Sequence, residues 1–219
     1  MELILPSCLS YIAETMGKEK QIPIMIFAKA PLPGEVKTRL GKSVGMRRAA
    51  MIYQKMLYQF LKKIDQCHFC SIELWCYPDT RHPFFRRCKK DFGLVLKRQQ
   101  GRDLGHRMKN AFQSANRFHD FSILMGSDIP EINIEDFKQV RQYMSTNVGL
   151  VMMPTFDGGY GLIAMKKANS GLFTNMTWST KSVLKDTLLR AKRRGLTYKL
   201  LVERADIDNK ADYIAYCRR

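Results

Sequence analysis

The sequence predicts an α/β protein with a mostly parallel, mixed sheet covered by helices on both faces, on three observations. Short apolar, β-branched runs alternate with segments whose apolar residues recur every three to four positions, the mark of strands alternating with amphipathic helices. The strand runs are almost continuously apolar, as at 22–27 (Ile-Pro-Ile-Met-Ile-Phe), which suits strands buried on both faces under crossover helices. With 219 residues, 45% of them hydrophobic and 26% charged, the chain is long enough to bury a core without staples.

Residues 1–20 are weakly patterned and read as an N-terminal extension; 21–219, with no repeat, low-complexity tract or flexible linker, reads as a single domain. The run 22–27 is the first strand, and a loop with Pro31, Pro33 and Gly34 follows it. A long helix is expected over 46–64, with Ile52, Met56, Leu57, Phe60 and Leu61 on one face. Strands at 72–77 and 94–97 bracket a short basic helix at 82–91. Helices at 104–116 and 134–144 surround a buried strand at 121–126. Strands at 148–154 and 160–165 flank the turn Asp157-Gly158-Gly159, the second antiparallel to its neighbours. A helix at 182–194, a strand at 197–201 and a helix at 210–217 complete the chain.

Lys and Arg number 37 against 20 Asp and Glu, a formal net charge of +17. Ten of those cations and only two acids fall within Arg81 to Asn110. Such a field attracts polyanions: nucleic acid, an acidic membrane surface or a phosphate-bearing small molecule. No apolar run approaches the roughly 18 residues of a membrane span. Glu2, Pro6 and the lack of a basic n-region argue against a secretory signal, so a cytoplasmic protein with reduced thiols is expected. Cys67 and Cys70 form a C-x2-C, but no second pair stands at zinc-finger spacing, and free thiols are the better reading.

Five segments carry residues suited to chemistry. The loop after the first strand holds Ala28, Lys29, Gly34, Lys37, Thr38 and Arg39: cations, a hydroxyl and free backbone N–H groups, a cradle for a di- or triphosphate. Gly41-Lys42-Ser43 is not a P-loop, because the first glycine of that pattern would fall on Val36. Asp128, in Gly126-Ser127-Asp128-Ile129-Pro130, directly follows a buried strand, where a carboxylate can hold Mg²⁺ or Mn²⁺ against substrate phosphates. Asp157-Gly158-Gly159-Tyr160 adds a second acid on a glycine turn. Asp206 and Asp208 follow the last strand and either line the same edge or cap the final helix. Asp103 and Arg107, four apart at the start of a helix, share a face and can pair with each other or meet a ligand.

Taken in order, these segments resemble a specific family. Phe27-Ala28-Lys29-Ala30-Pro31 with Gly34 and Lys37-Thr38-Arg39-Leu40, then Gln100-Gly101 with Asp103-Leu104-Gly105 and Arg107-Met108, then Gly126 to Pro130, then Asp157 to Tyr160, then Trp178-Ser179-Thr180, then Asp206-Ile207-Asp208 are similar to bacterial glycosyltransferase-like proteins of the GT-A, or nucleotide-diphospho-sugar transferase, superfamily, related to 2-phospholactate guanylyltransferase. The resemblance spans about residues 22–217 and implies a three-layer α-β-α, Rossmann-like GT-A fold. It implies that Ala28, Lys29, Gly34, Lys37, Thr38, Arg39, Asp103 and Arg107 serve the nucleotide. It implies that Asp128 and Asp208 hold the metal, and that Gly158, Gly159, Tyr160 and Trp178 face the acceptor.

The expected function is therefore a Mg- or Mn-dependent transferase with a nucleotide-activated donor, and Asp128, Asp157 and Lys37 as its catalytic residues. Glycosyl transfer from a nucleotide sugar is the first reading, and nucleotidyl transfer from a nucleoside triphosphate the second. Nucleic-acid binding through the basic stretch, with Phe84, Phe85 and Phe92 stacking on bases, is a less favoured reading from another class.

Overall fold

A computed structural model describes residues 21–218; the expected N-terminal extension lies outside them. Seven strands form one sheet: β1 (Ile22–Lys29), β2 (Cys70–Tyr77), β3 (Val95–Arg98), β4 (Ser122–Gly126), β5 (Leu150–Pro154), β6 (Tyr160–Met165) and β7 (Tyr198–Leu200). Their order across the sheet is β3-β2-β1-β4-β6-β5-β7. Only β6 runs antiparallel to its neighbours, as its hairpin turn requires.

The helices are α1 (Thr38–Val44), α2 (Met46–Ile64), α3 (Pro83–Phe92), α4 (Leu104–Ala115), α5 (Ile134–Met144), α6 (Val183–Arg193) and α7 (Lys210–Cys217). Alternate residues of β1 explain why helices cover both faces. Ile24 and Ile26 join one core with Leu57, Leu61, Phe85 and Phe137, from α2, α3 and α5. Met25 joins a second core with Phe112, Phe173 and Ala191, on the side of α4 and α6. Strand and helix layers thus stack as three, and burying both faces of β1 dictates its continuous apolar run.

Two elements depart from expectation. The segment 38–44, read as loop, is helix α1; it starts at Lys37, whose φ of +47° is left-handed and whose side chain makes no cap, so no start signal appears in the sequence. Cys67 and Cys70, expected as free thiols, are disulfide-bonded: a turn in which Cys70 N–H donates to Cys67 C=O (2.9 Å) brings their Cα atoms to 5.4 Å, inside the span a disulfide bridges. Among the described residues no helix is long and apolar enough to cross a membrane.

β1 pairs on one side with β2 and on the other with β4. The chain therefore winds outward in one direction through β2 and β3, then returns to lay β4 on the opposite side. In such sheets a crevice opens beyond the carboxyl ends of the two strands where the order reverses. Here those ends are Phe27 to Lys29 and Gly126 to Asp128.

Candidate active site

A cavity of about 590 Å³ occupies that crevice. β1 supplies Ala28 and Lys29, the loop after it Lys37, and α1 Thr38 and Arg39; β4 and the turn after it supply Gly126, Ser127 and Asp128; α4 supplies Arg107; and the segment before α7 supplies Asp208. A second cavity of about 230 Å³ adjoins it and shares Leu104, Gly126, Asp128 and Ser179. Asp157, Gly159, Tyr160, Trp178 and Asp206 line this second space.

Lys37 is the hinge of the first cavity. Its side chain is only 3% exposed, its Nζ lies 2.8 Å from Asp128 Oδ1 and 4.0 Å from Asp208 Oδ1, and it donates to the Ile207 carbonyl. An ammonium so deeply buried is tolerated because acids and a carbonyl surround it. Arg39 Nη1 pairs with Asp208 Oδ2 at 2.8 Å near the surface.

The backbone explains how residues 170 positions apart meet. Leu201, Arg204 and Ile207 N–H groups donate to Met152, Pro154 and Asp128 carbonyls at 2.8, 3.1 and 3.2 Å, so the 201–208 segment is laid along the end of β5 up to Asp128. Arg204 is also anchored by Asp136 at 3.1 Å. Asn209, not Asp208, caps α7: its Oδ1 accepts from Ala211 and Asp212 N–H, and Asp212 Oδ2 accepts from Asp208 N–H. Of the two readings of Asp208, edge residue or cap, the structure has the former.

Other expected residues fall differently. Gly34 lines neither cavity; its φ of +84° turns the loop. Asp103 also lines neither: its Oδ1 caps α4 by accepting from His106 N–H at 2.8 Å, and these hydrogen bonds hold its carboxyl below the usual range. Of the two alternatives for Asp103 and Arg107, the side-chain ion pair does not form. Arg107 instead donates to the Gly101 carbonyl at 3.1 Å and lies over the Tyr77 ring, 4.0 Å from its centroid. Gly158 (φ +85°) sits where an added Cβ would come within 2.3 Å of the Lys181 carbonyl, so the glycine turn is also a tight packing point.

Sequence reasoning passed over Tyr53 and Gln99. Tyr53 Oη accepts from the Lys29 N–H at 3.1 Å and lies 3.2 Å from Ser127 Oγ, tying the ends of β1 and β4 together. Burial, then the charge of Asp128, pushes its phenol well above the usual range, so it stays neutral. A polar tip within the buried stripe Ala49, Tyr53, Met56 and Phe60 was the available signal. Gln99, 8% exposed, donates to the Ala28 and Trp75 carbonyls at 3.3 and 2.7 Å.

A hard divalent cation fits the edge in its donor chemistry. Asp128 Oδ1 is buried and, beyond the ion-pair contact with Lys37, accepts no aligned hydrogen bond. Asp208 stands across the same lysine. One or two carboxylates suffice for Mg²⁺ or Mn²⁺ when substrate phosphates complete the shell. Among the described residues no group of three His, Cys, Asp or Glu forms a complete protein cage.

The basic stretch is not a base-stacking platform. Phe84 and Phe85 are 5% and 0% exposed in the core, and Phe92 packs against it. Arg81 and Arg87 are paired with Asp79 and Asp91.

Known proteins share this fold. A provisionally named nucleotide-diphospho-sugar transferase from Desulfovibrio desulfuricans G20 is 32% identical, with a TM-score of 0.81 over 90% of this chain and 86% of its own. A CMP:2-keto-3-deoxy-manno-octonic acid synthetase, solved with CTP, is 13% identical with a TM-score of 0.53 over 91% and 100% of the two chains. Rv0371c from Mycobacterium tuberculosis H37Rv, solved with manganese, is 17% identical with a TM-score of 0.57 over 91% and 99%. The last two show the fold alone. No curated protein matches the chain. The family model described as "Uncharacterized protein conserved in bacteria" (DUF2064) matches residues 60–180. That match takes in more than half of the sequence, and the chain belongs to this bacterial family.

Proposed function

We propose that the protein is a transferase whose first cavity takes a nucleotide-activated donor, with Lys29, Lys37, Arg39 and Arg107 around its phosphates. The observation that carries this reading is the burial of Lys37 against Asp128 at the strand-order reversal, on the floor of a cavity with three further cations. Fixed cations beside a departing phosphate stabilise charge as it develops, at no reorganisation cost during reaction. Asp128 and Asp208 would hold Mg²⁺ or Mn²⁺, which supplies further charge neutralisation at the diphosphate. Asp157 and the turn Gly158-Gly159-Tyr160, with Trp178, lie on the acceptor side.

The 32% identical relative favours glycosyl transfer from a nucleotide sugar. Nucleotidyl transfer from a nucleoside triphosphate is the second reading, supported by the CTP-bound structural neighbour. A thermal-shift panel of nucleoside triphosphates and nucleotide sugars, with and without Mg²⁺ or Mn²⁺, separates them. A true donor at 100 times its dissociation constant stabilises by about 2.7 kcal/mol, or roughly 5–10 °C for a chain of this size. Asp128→Ala is expected to abolish the metal-dependent part of that shift. No stabilisation by any nucleotide would overturn the proposal, and an unchanged metal response in Asp128→Ala would remove Asp128 from it.

A further inference from the structure

The second cavity has the opposite charge to the chain around it. The protein carries a formal +17, and the first cavity has four Lys or Arg in its wall. The second has Asp128, Asp157 and Asp206 in its wall and no Lys, Arg or His. Lys37, the first-cavity cation paired with the shared Asp128, is already engaged by Asp128 and the Ile207 carbonyl. Asp157 spends one oxygen on its own turn, accepting from Thr155 Oγ1 at 2.7 Å and Gly159 N–H at 3.0 Å. Asp206 lines the same wall, half-buried beside Asp157. An anion entering here would add a further like charge in a poorly solvated space.

The rest of the wall has its own chemistry. Trp178 presents an indole that is held from behind. An added Cβ on Gly105 would lie 3.0 Å from its Cζ2, and the Phe173 ring stands 6.5 Å from it, centroid to centroid. Arg190 donates to the Thr174 and Asn175 carbonyls and so pins the loop that leads to Trp178. Thr155, Ser179 and Thr180 contribute hydroxyl-bearing walls. A fixed aromatic face takes the C–H face of a ring, while carboxylates accept hydrogen bonds from hydroxyl or amino groups. At about 230 Å³ the space is smaller than the 300–1,000 Å³ typical of drug-sized ligands, so it suits one ring.

We infer that the acceptor is a non-anionic, hydroxyl-bearing molecule of single-ring size, and that phosphorylated or carboxylated acceptors are excluded. This rests on the reading of the first cavity as the nucleotide site. The acceptor's reacting group meets the donor at the shared wall of Gly126, Asp128 and Ser179.

Four probes of one ring size test it: methyl glucoside, glucosamine, glucuronate and glucose 6-phosphate, titrated against the whole protein. Binding is read by intrinsic fluorescence and by calorimetry. The fluorescence response that disappears in Trp178→Phe belongs to this cavity, since Trp75 remains as an internal reference. Methyl glucoside and glucosamine are expected to bind at least about tenfold more tightly than the two anions. Combining Asp157→Asn with Asp206→Asn is expected to narrow that gap, a change that loss of packing alone would not produce. An anion that binds as well as methyl glucoside overturns the inference, and so does the absence of any Trp178-dependent response. A parallel nucleotide titration distinguishes the two failures: nucleotide binding retained with charge discrimination lost overturns this inference alone, whereas no nucleotide binding overturns the donor reading beneath it.

Discussion

The two adjoining cavities share a wall yet are built by different halves of the sheet. The larger lies over the parallel half, beyond β1 and β4, and its cations come from the end of β1, the loop after it and the first turns of α1 and α4. The smaller lies where the antiparallel β6 enters, and its acids come from a hairpin turn and from the strap that returns from β7. Parallel strands end beside helix starts, where N–H groups and cations gather for phosphates. A hairpin beside an indole offers a compact, pre-shaped hollow. The reversal of one strand thus divides a single sheet edge into a cationic side, the proposed phosphate site, and an acidic side, the proposed hydroxyl site.

Four substitutions break or sharpen this division. Lys37→Met is expected to act most strongly: it leaves Asp128 without its buried partner and should weaken nucleotide binding by roughly 30- to 4,000-fold, from the 2–5 kcal/mol that truncating one member of such a pair costs. Calorimetry with a nucleotide and with methyl glucoside checks it, and equal losses for both would show the cavities to be one site. Gly105→Ala should act on the other side. Its Cβ would fall 2.7 Å from the Phe173 carbonyl and press on Trp178, which costs about 1–3 kcal/mol in denaturant unfolding and displaces the indole emission while nucleotide affinity stays.

Asn209→Ala removes the cap of α7 and should cost about 1 kcal/mol, or 2–4 °C in Tm, while loosening the strap that carries Asp208. The smallest effect is the pH response of Asp206→Asn. Burial raises its carboxyl above the usual range, so the native state binds the proton more readily than the unfolded chain. Its favourable contribution is therefore complete below the ordinary value of 3.8 and is lost as pH rises through the raised one. The variant should exceed the wild type in Tm at neutral pH, with the gap closing in acid; a constant gap would show that Asp206 is ordinarily solvated.

What the residues revealed in advance follows from how local each cause is. β1 was legible because burial on both faces forces an unbroken apolar run, and α2 because Gly45 precedes a clean amphipathic stripe. The sheet edge was legible because Lys37, Asp128 and Asp208 each follow or flank an element whose end the pattern marks. Helix α1 was not, because its start depends on a left-handed lysine and its sequence Thr-Arg-Leu-Gly-Lys-Ser-Val is mostly polar. Asp103 carried an ion-pair and a ligand reading, whereas its carboxylate caps α4 through three residues of local spacing. Tyr53 and Gln99 act across 74 and 71 positions of chain, contacts that no local pattern encodes.

Lys37 also bears on how this site can evolve. A non-glycine residue at φ +47° sits in a region that side chains other than Asn and Asp seldom occupy. Glycine there would ease the backbone while withdrawing the ammonium from Asp128. Under the proposed donor chemistry, selection for stability and selection for the reaction pull this position in opposite directions. On that proposal, a lineage that abandoned phosphate chemistry would be free to accept the glycine, whereas one that used it would have to keep the uncomfortable lysine.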